Sequence, residues 1–228
     1  MKKYNLLILL LLLIFFLPVY SQRQPDLGMW NTFSIEKVLT KRYSVAIDEE
    51  VRLRENITRL NLMYTNFSFI VKPAKGLKVG LTYRSIQKYT ELNYFSFRHR
   101  LMLDISYKYK LNDFVFTYRS RFQTEVKNYY TSELGQIPEW FWRNKFDIKY
   151  KFGNFVPYIG IEYRYQLNDP RNPCFNYGWH RYRTYFGLDY DINNSNSVGV
   201  YYLIQREFDV IDPEIIYILG VQYSIVLD

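Results

Sequence analysis

Between Gly178 and Glu207 the chain reads GWHRYRTYFGLDYDINNSNSVGVYYLIQRE, with apolar or aromatic side chains on alternate positions. Tyr182, Thr184, Phe186, Leu188 and Tyr190 share one parity, and Arg181, Arg183, Tyr185, Gly187 and Asp189 share the other. A period of two is that of a β-strand with one oily and one polar face. Asn193-Asn194-Ser195 reverses the chain, after which Val198, Val200, Tyr202 and Ile204 oppose Gly199, Tyr201, Gln205 and Glu207.

The same alternation runs along most of the chain. Leu77, Val79, Leu81 and Tyr83 oppose Lys78, Gly80, Thr82 and Arg84; Phe97, Leu101, Leu103 and Ile105 oppose Arg98, Arg100, Asp104 and Ser106. Phe114, Phe116, Tyr118 and Phe122 oppose Thr117, Arg119, Arg121, Gln123 and Glu125. Trp140, Trp142, Phe146 and Ile148 oppose Arg143, Lys145, Asp147 and Lys149, and Ile159, Ile161 and Tyr163 oppose Glu162, Arg164 and Gln166. Two runs are irregular. Glu49 interrupts the oily face of Tyr43, Val45, Ile47, Val51 and Leu53, which predicts a shallow or bulged strand there. The apolar parity between Leu60 and Val71 changes near Asn66, from Leu60, Leu62 and Tyr64 to Phe67, Phe69 and Val71, and a bulge is the simplest cause.

Short reversals at Pro73–Gly76, Lys110–Asp113, Gly153–Asn154 and Asn193–Ser195 alternate with longer connections at Lys88–Tyr94, Lys127–Glu139, Leu167–Tyr177 and Phe208–Pro213. This is the rule of a transmembrane barrel, with short periplasmic turns and long external loops. The expected fold is all-β: an antiparallel, up-and-down transmembrane β-barrel of about ten strands, within a range of roughly ten to twelve. Tyr43 to Leu227 supplies an even set of about ten, and the weaker Trp30–Lys37 run makes an eleventh, as an extra closing strand or as one of twelve.

Residues 1–21 read as a cleaved secretory signal peptide, with Lys2 and Lys3 ahead of an apolar Leu6–Leu17 run and Ser21 at the cleavage point. That run is shorter than the roughly 20 residues of a spanning helix. Residues 22–228 then form a single barrel domain, exported to the outer membrane. Without the two leader lysines the formal charge falls from +8 to +6. A cationic surface suits lipopolysaccharide phosphates or is a simple solubilising excess. The slightly negative mean hydropathy, together with 24 Tyr and 17 Phe, fits lipid-facing residues alternating with polar lumen residues between aromatic girdles. A lone Cys174 excludes a disulfide framework and a thiolate metal site.

The polar parity must line the enclosed interior if the oily one faces lipid. Its candidate lumen network is Glu50, Arg52, Arg100, Asp104, Arg119, Arg121, Glu162, Arg164, Arg181, Arg183, Asp189 and Glu207, with Arg84, Arg98, Glu125, Arg143 and Asp147 beside it. Arg suits such a network because its planar fork pairs bidentately with carboxylates. A barrel of this size is nearly filled by side chains, so the charges brace the wall, and any narrow passage among them prefers anions.

These residues carry a resemblance. A secretory leader, Trp30 soon after it, the acid-x-Arg pair Glu50 and Arg52, and the dipeptides His99-Arg100 and His180-Arg181 come in order. The second dipeptide leads into Gly187-x-Asp189, and Gln205-x-Glu207 follows. Together they resemble the domain of unknown function 2490 family over nearly all the mature chain. The resemblance implies a Gram-negative outer-membrane β-barrel without an assigned biochemical activity. The Ile225-Val226-Leu227-Asp228 end departs from the terminal aromatic by which barrels are usually read by the assembly machinery.

Catalysis finds little support. By parity His99 and His180 share the lipid side, Ser96 and Asp104 do not join His99 on one face, and the loop acids Glu133, Asp169, Asp209 and Asp212 suit solvation. No phosphate-cradling loop, dinucleotide glycine pattern or paired-Cys zinc site is present. The expectation is a non-enzymatic outer-membrane barrel, structural or a narrow pore, with no catalytic residue, cofactor or metal. Its partners are outer-membrane lipid, lipopolysaccharide and the barrel-assembly machinery, not nucleic acid, and the solute is unnamed. The alternatives are a rim hydrolase resembling phospholipases or omptins, and a secreted lipocalin-like barrel with its apolar face inward.

Overall fold

In the computed structural model, residues 25–90, 92–127, 137–168, 177–210 and 213–228 are described. The leader, Cys174, Glu133, Asp169 and Asp212 lie outside them. The described chain forms β1 (Asp26–Val38), β2 (Tyr43–Arg54), β3 (Arg59–Ala74), β4 (Leu77–Tyr89), β5 (Phe95–Leu111) and β6 (Phe114–Lys127). It continues through β7 (Glu139–Tyr150), β8 (Phe155–Asn168), β9 (Gly178–Asp191), β10 (Asn196–Glu207) and β11 (Ile215–Leu227). Each strand pairs with its sequence neighbour, and β1 pairs with β11 to close the barrel.

Eleven strands lie within the expected range, but the even number does not hold. The Trp30–Lys37 run is the closing strand, lengthened to Asp26–Val38. Strands that alternate in direction leave the first and eleventh running the same way, so β1 meets β11 in parallel, with Phe33 opposite Tyr223 and Lys37 opposite Leu227. The other ten seams are antiparallel. The start of β1 is tied to the β2–β3 connection, where the Asp26 carboxylate accepts hydrogen bonds from the backbone N–H groups of Glu55 and Asn56.

The two faces separate sharply. Leu81, Leu101, Phe186 and Leu103 stand on the outside of the wall, Leu81 being 57% exposed, while Arg84, Arg143 and Arg183 are buried within it. The inverted, lipocalin-like arrangement with its apolar face inward is therefore not the one that folds. The interior is crowded because bare backbone makes room for aromatic rings. A Cβ added at Gly220 would strike the ring of Tyr201, and one at Gly187 the ring of Tyr158. Beside these rings Trp30, Leu203 and Ile218 form an apolar cluster with Tyr185, Tyr201 and Ile216.

Three local expectations are corrected. No bulge occurs at Asn66: the β3–β4 register is continuous from Leu62 to Val71, and the irregularity with β2 lies at Arg52/Leu53. Tyr64 is consequently an interior residue, buried with Asn66 and Ile70, because the narrow interior accepts a ring as readily as a charge. Glu49 marks neither a bulge nor a shortened strand. The ladder passes it without a break opposite Phe33, and on the outer face it accepts a hydrogen bond from Thr65.

The third concerns His180. Arg164 pairs with Arg181 and Tyr165 with Trp179, so His180 is the extra residue of a bulge in β9. A bulge re-aims a side chain, and here it turns His180 inward, where its ring stacks on Phe141 at 5.9 Å. His99 stays outside as parity predicts, its Nδ1 2.7 Å from the Tyr83 hydroxyl.

The parallel seam makes a direct prediction. Cysteines at Phe33 and Tyr223, whose rings now stack at 6.0 Å, should oxidise to a disulfide in a Cys174→Ser background. The check is a reductant-sensitive band of altered electrophoretic mobility. The offset pair Phe33 and Leu219 should give none.

Candidate functional site

The wall registers bring the inward charges into a layer at mid-height. Arg119 on β6 stands opposite Lys145 on β7, Lys145 opposite Glu162 on β8, Glu162 opposite Arg183 on β9, and Arg183 opposite Gln205 on β10. Glu162, only 2% exposed, is the hub. It accepts hydrogen bonds from Arg119 at 2.7 Å, from Arg183 at 3.3 Å and from Arg143. Arg183 also donates through Nε to Gln205 at 2.9 Å, and Arg143 to Gln123 at 3.3 Å.

The layer continues across the seam through aromatic faces. The Arg52 guanidinium lies 3.6 Å from the centre of the Trp30 ring, and that of Arg183 lies 5.2 Å from the same ring. Arg52 donates to Glu50, which also accepts from Thr32 at 2.9 Å. Arg84 lies over Tyr64 at 3.5 Å and donates through Nε to Asn66. Arg121 grips Asp104 with both ends of its fork, each contact 2.6 Å.

Toward the end with the longer connections, Glu125 accepts from Arg98 and Arg100, and Glu207 from Arg181. Toward the short turns, Asp189 accepts from Lys149 at 2.7 Å and Gln222 at 3.0 Å. Arg164 resembles Arg84 in being held by a ring. It lies over Phe141 at 3.7 Å and joins no carboxylate among the described residues. All twelve residues of the expected lumen network stand on the interior side. Eleven of them are ion-paired, with Arg164 the exception.

Two cavities flank this layer and share no lining residue. The larger, about 840 Å³, lies at the short-turn end between Glu36, Asp48, Lys72, Lys108 and Arg121. The smaller, about 400 Å³, lies at the loop end between Trp30, Arg84, Arg100, Arg164 and Glu207. Sequence reasoning missed the aromatic plates Tyr64 and Phe141, the second of which shares Arg143's parity and was visible on that ground. It also placed His180 on the wrong face. Neither histidine is hydrogen-bonded to a serine among the described residues: His99 meets Tyr83, and Nδ1 of His180 is buried without a partner.

The model of a family described as a protein of unknown function (DUF2490) matches residues 27–212, most of the chain. A search of the curated proteins finds no match.

The hub carries a prediction. Removing one member of a buried ion pair costs about 3–5 kcal/mol, and Glu162 serves three arginines. Glu162→Gln should therefore lower the temperature at which the folded, fast-migrating band is lost on a heat-modifiability gel. Glu49→Gln, on the outer face, should shift it little.

Proposed function

Starting from a chain that belongs to the DUF2490 family, we propose that it is a non-enzymatic β-barrel of the Gram-negative outer membrane, closed at mid-height to free diffusion. One observation carries the membrane part: the outer face is studded with exposed Leu, Ile, Val and aromatic side chains, while Arg84, Arg143 and Arg183 are buried inside. Lys or Arg on a lipid face at the bilayer midplane costs about 2–4 kcal/mol, and the enclosed network avoids that cost. A closed sheet also leaves no backbone edge unpaired in hydrocarbon. The leader-like first 21 residues supply the route of export, and the short turns face the periplasm.

The interior supports a plugged barrel over an open pore. The Glu162 layer, tied by Trp30 to Arg52 and Glu50, separates the two cavities. The non-enzymatic reading is supported by the two histidines, which stand on opposite faces and are not hydrogen-bonded to a serine among the described residues. Outer-membrane lipid and lipopolysaccharide are the proposed surroundings, and the barrel-assembly machinery the proposed folding partner.

Fractionation is expected to place the protein with outer membranes as a heat-modifiable band; a detergent-independent soluble monomer would end the membrane reading. In planar bilayers the native barrel should give little conductance. Arg119→Ala combined with Arg143→Ala should open anion-preferring steps, since the remaining lining is cationic. His99→Gln and His180→Gln should leave lipid- and peptide-cleaving assays at background.

Orientation is tested separately. In intact cells carrying Cys174→Ser, an impermeant thiol reagent should label Leu92→Cys, whose parent side chain is 80% exposed between β4 and β5. It should not label Lys75→Cys in the β3–β4 turn.

A further inference from the structure

We propose that the loop-end cavity is a binding site for a small organic phosphate monoester. Among the described residues that line it, ten are Arg or Lys and five are Asp or Glu. Several of those acids are already engaged: Glu125 holds Arg98 and Arg100, Glu207 holds Arg181, and Asp26 holds the β2–β3 connection. The surplus is concentrated in Arg84 and Arg164, which join no carboxylate among the described residues.

The way these two are held is what points to a ligand. Arg84 is 7% exposed, backed by the Tyr64 ring at 3.5 Å and steadied by a single hydrogen bond from Nε to Asn66 at 2.7 Å. Arg164 is backed by the Phe141 ring at 3.7 Å, and its Nε is buried without a partner. An aromatic face fixes the plane of a guanidinium electrostatically without using its N–H donors. Both forks are thus oriented while donors stay available, the arrangement that planar, bidentate recognition of an oxyanion requires.

The rest of the lining narrows the class. A dianionic phosphate offers three acceptor oxygens, enough for more than one fork, and Lys88 adds a point charge on the same cavity. Beside the arginines, Leu62, Ile216 and Ile218 line it with apolar surface, which bare orthophosphate would leave unused. At about 400 Å³ the cavity suits a small organic body. The inference needs only the closed barrel and not its placement in a membrane, so it stands or falls separately from the outer-membrane reading.

The test is calorimetric titration of the purified, folded barrel in chloride buffer of matched ionic strength, with three probes: orthophosphate, glycerol phosphate and short-chain phosphatidic acid. Saturable binding of glycerol phosphate, tighter than orthophosphate, is expected. Arg84→Gln and Arg164→Gln should each weaken it by at least about tenfold, the weight of one charge-assisted contact. Lys75→Gln at the opposite end should not. Tighter binding of phosphatidic acid, with the same dependence on the two arginines, supports the site and assigns its source to a lipid headgroup. If Arg84→Gln fails to fold, Arg164→Gln carries the test. The proposal is overturned if no phosphate probe saturates at millimolar concentration, or if binding is as strong in the folded arginine variants.

Discussion

A single carboxylate organises the interior. Glu162 meets guanidinium groups from β6, β7 and β9, and it can do so only because four successive ladders place Arg119, Lys145, Glu162, Arg183 and Gln205 in one cross-strand row. A one-residue slip of any of these strands would turn its whole polar set to the outside, leaving arginines in an oily belt and Glu162 short of partners. The charge network and the register therefore specify each other. Such buried charge is weak evidence for stability as such, since a well-packed apolar replacement is often as good. Its contribution here is to exclude the neighbouring registers, whose oily faces would differ by only one step.

Closure poses a different problem. Parallel pairing is slightly less stable per residue than antiparallel pairing, and the odd strand number forces one parallel seam. The interior beside that seam is apolar. Trp30 from β1 and Ile218 from β11, with Leu203 from β10, bury almost completely against one another, while Phe33 and Tyr223 stack across the same seam outside. Apolar contact on both faces reinforces the joint where the hydrogen-bond ladder is weaker. Trp30 serves twice, because Arg52 and Arg183 approach its ring and the charge layer is thereby carried over the seam.

Much of this was legible from the alternation of residues, for a physical reason: the outer face and the enclosed interior of a closed sheet make opposite demands on successive side chains, so parity alone sorts them. It sorted Arg119, Glu162 and Arg183 to the inside. It failed where inside and outside accept the same residue. Tyr64 reads as oily by composition, yet its ring is the plate beneath Arg84. Leu203 and Ile218 sit on the polar parity and are buried inside, because a narrow interior also needs apolar filling. His180 was lost for another reason. Its bulge is a mismatch in length between β8 and β9, and nothing local to His180 records how many residues its partner strand spends on the same span. The strand count stayed between ten and twelve for a related reason, since β1 is defined by its union with β11 from the far end of the chain.

The two ends of the interior use different cations, and the difference follows from hydration. Around the turn-end cavity stand Lys41, Lys72, Lys75, Lys78 and Lys108, with Lys72 and Lys78 drawn to Glu36 at 3.4 and 3.7 Å. An ammonium is compact and strongly hydrated, so it favours a roomy, wet mouth and attracts anions by charge alone. Toward the loop end arginines dominate. A guanidinium is more weakly hydrated and tolerates a drier site when laid on a ring, as Arg52, Arg84 and Arg164 are. Lysines in those places would lose the flat contact and gain desolvation cost, whereas arginines at the turn end would gain little over lysines. The loop end thus presents planar, ring-backed donors, and the turn end compact point charges. Between them stands the Glu162 layer, and the two cavities share no lining residue.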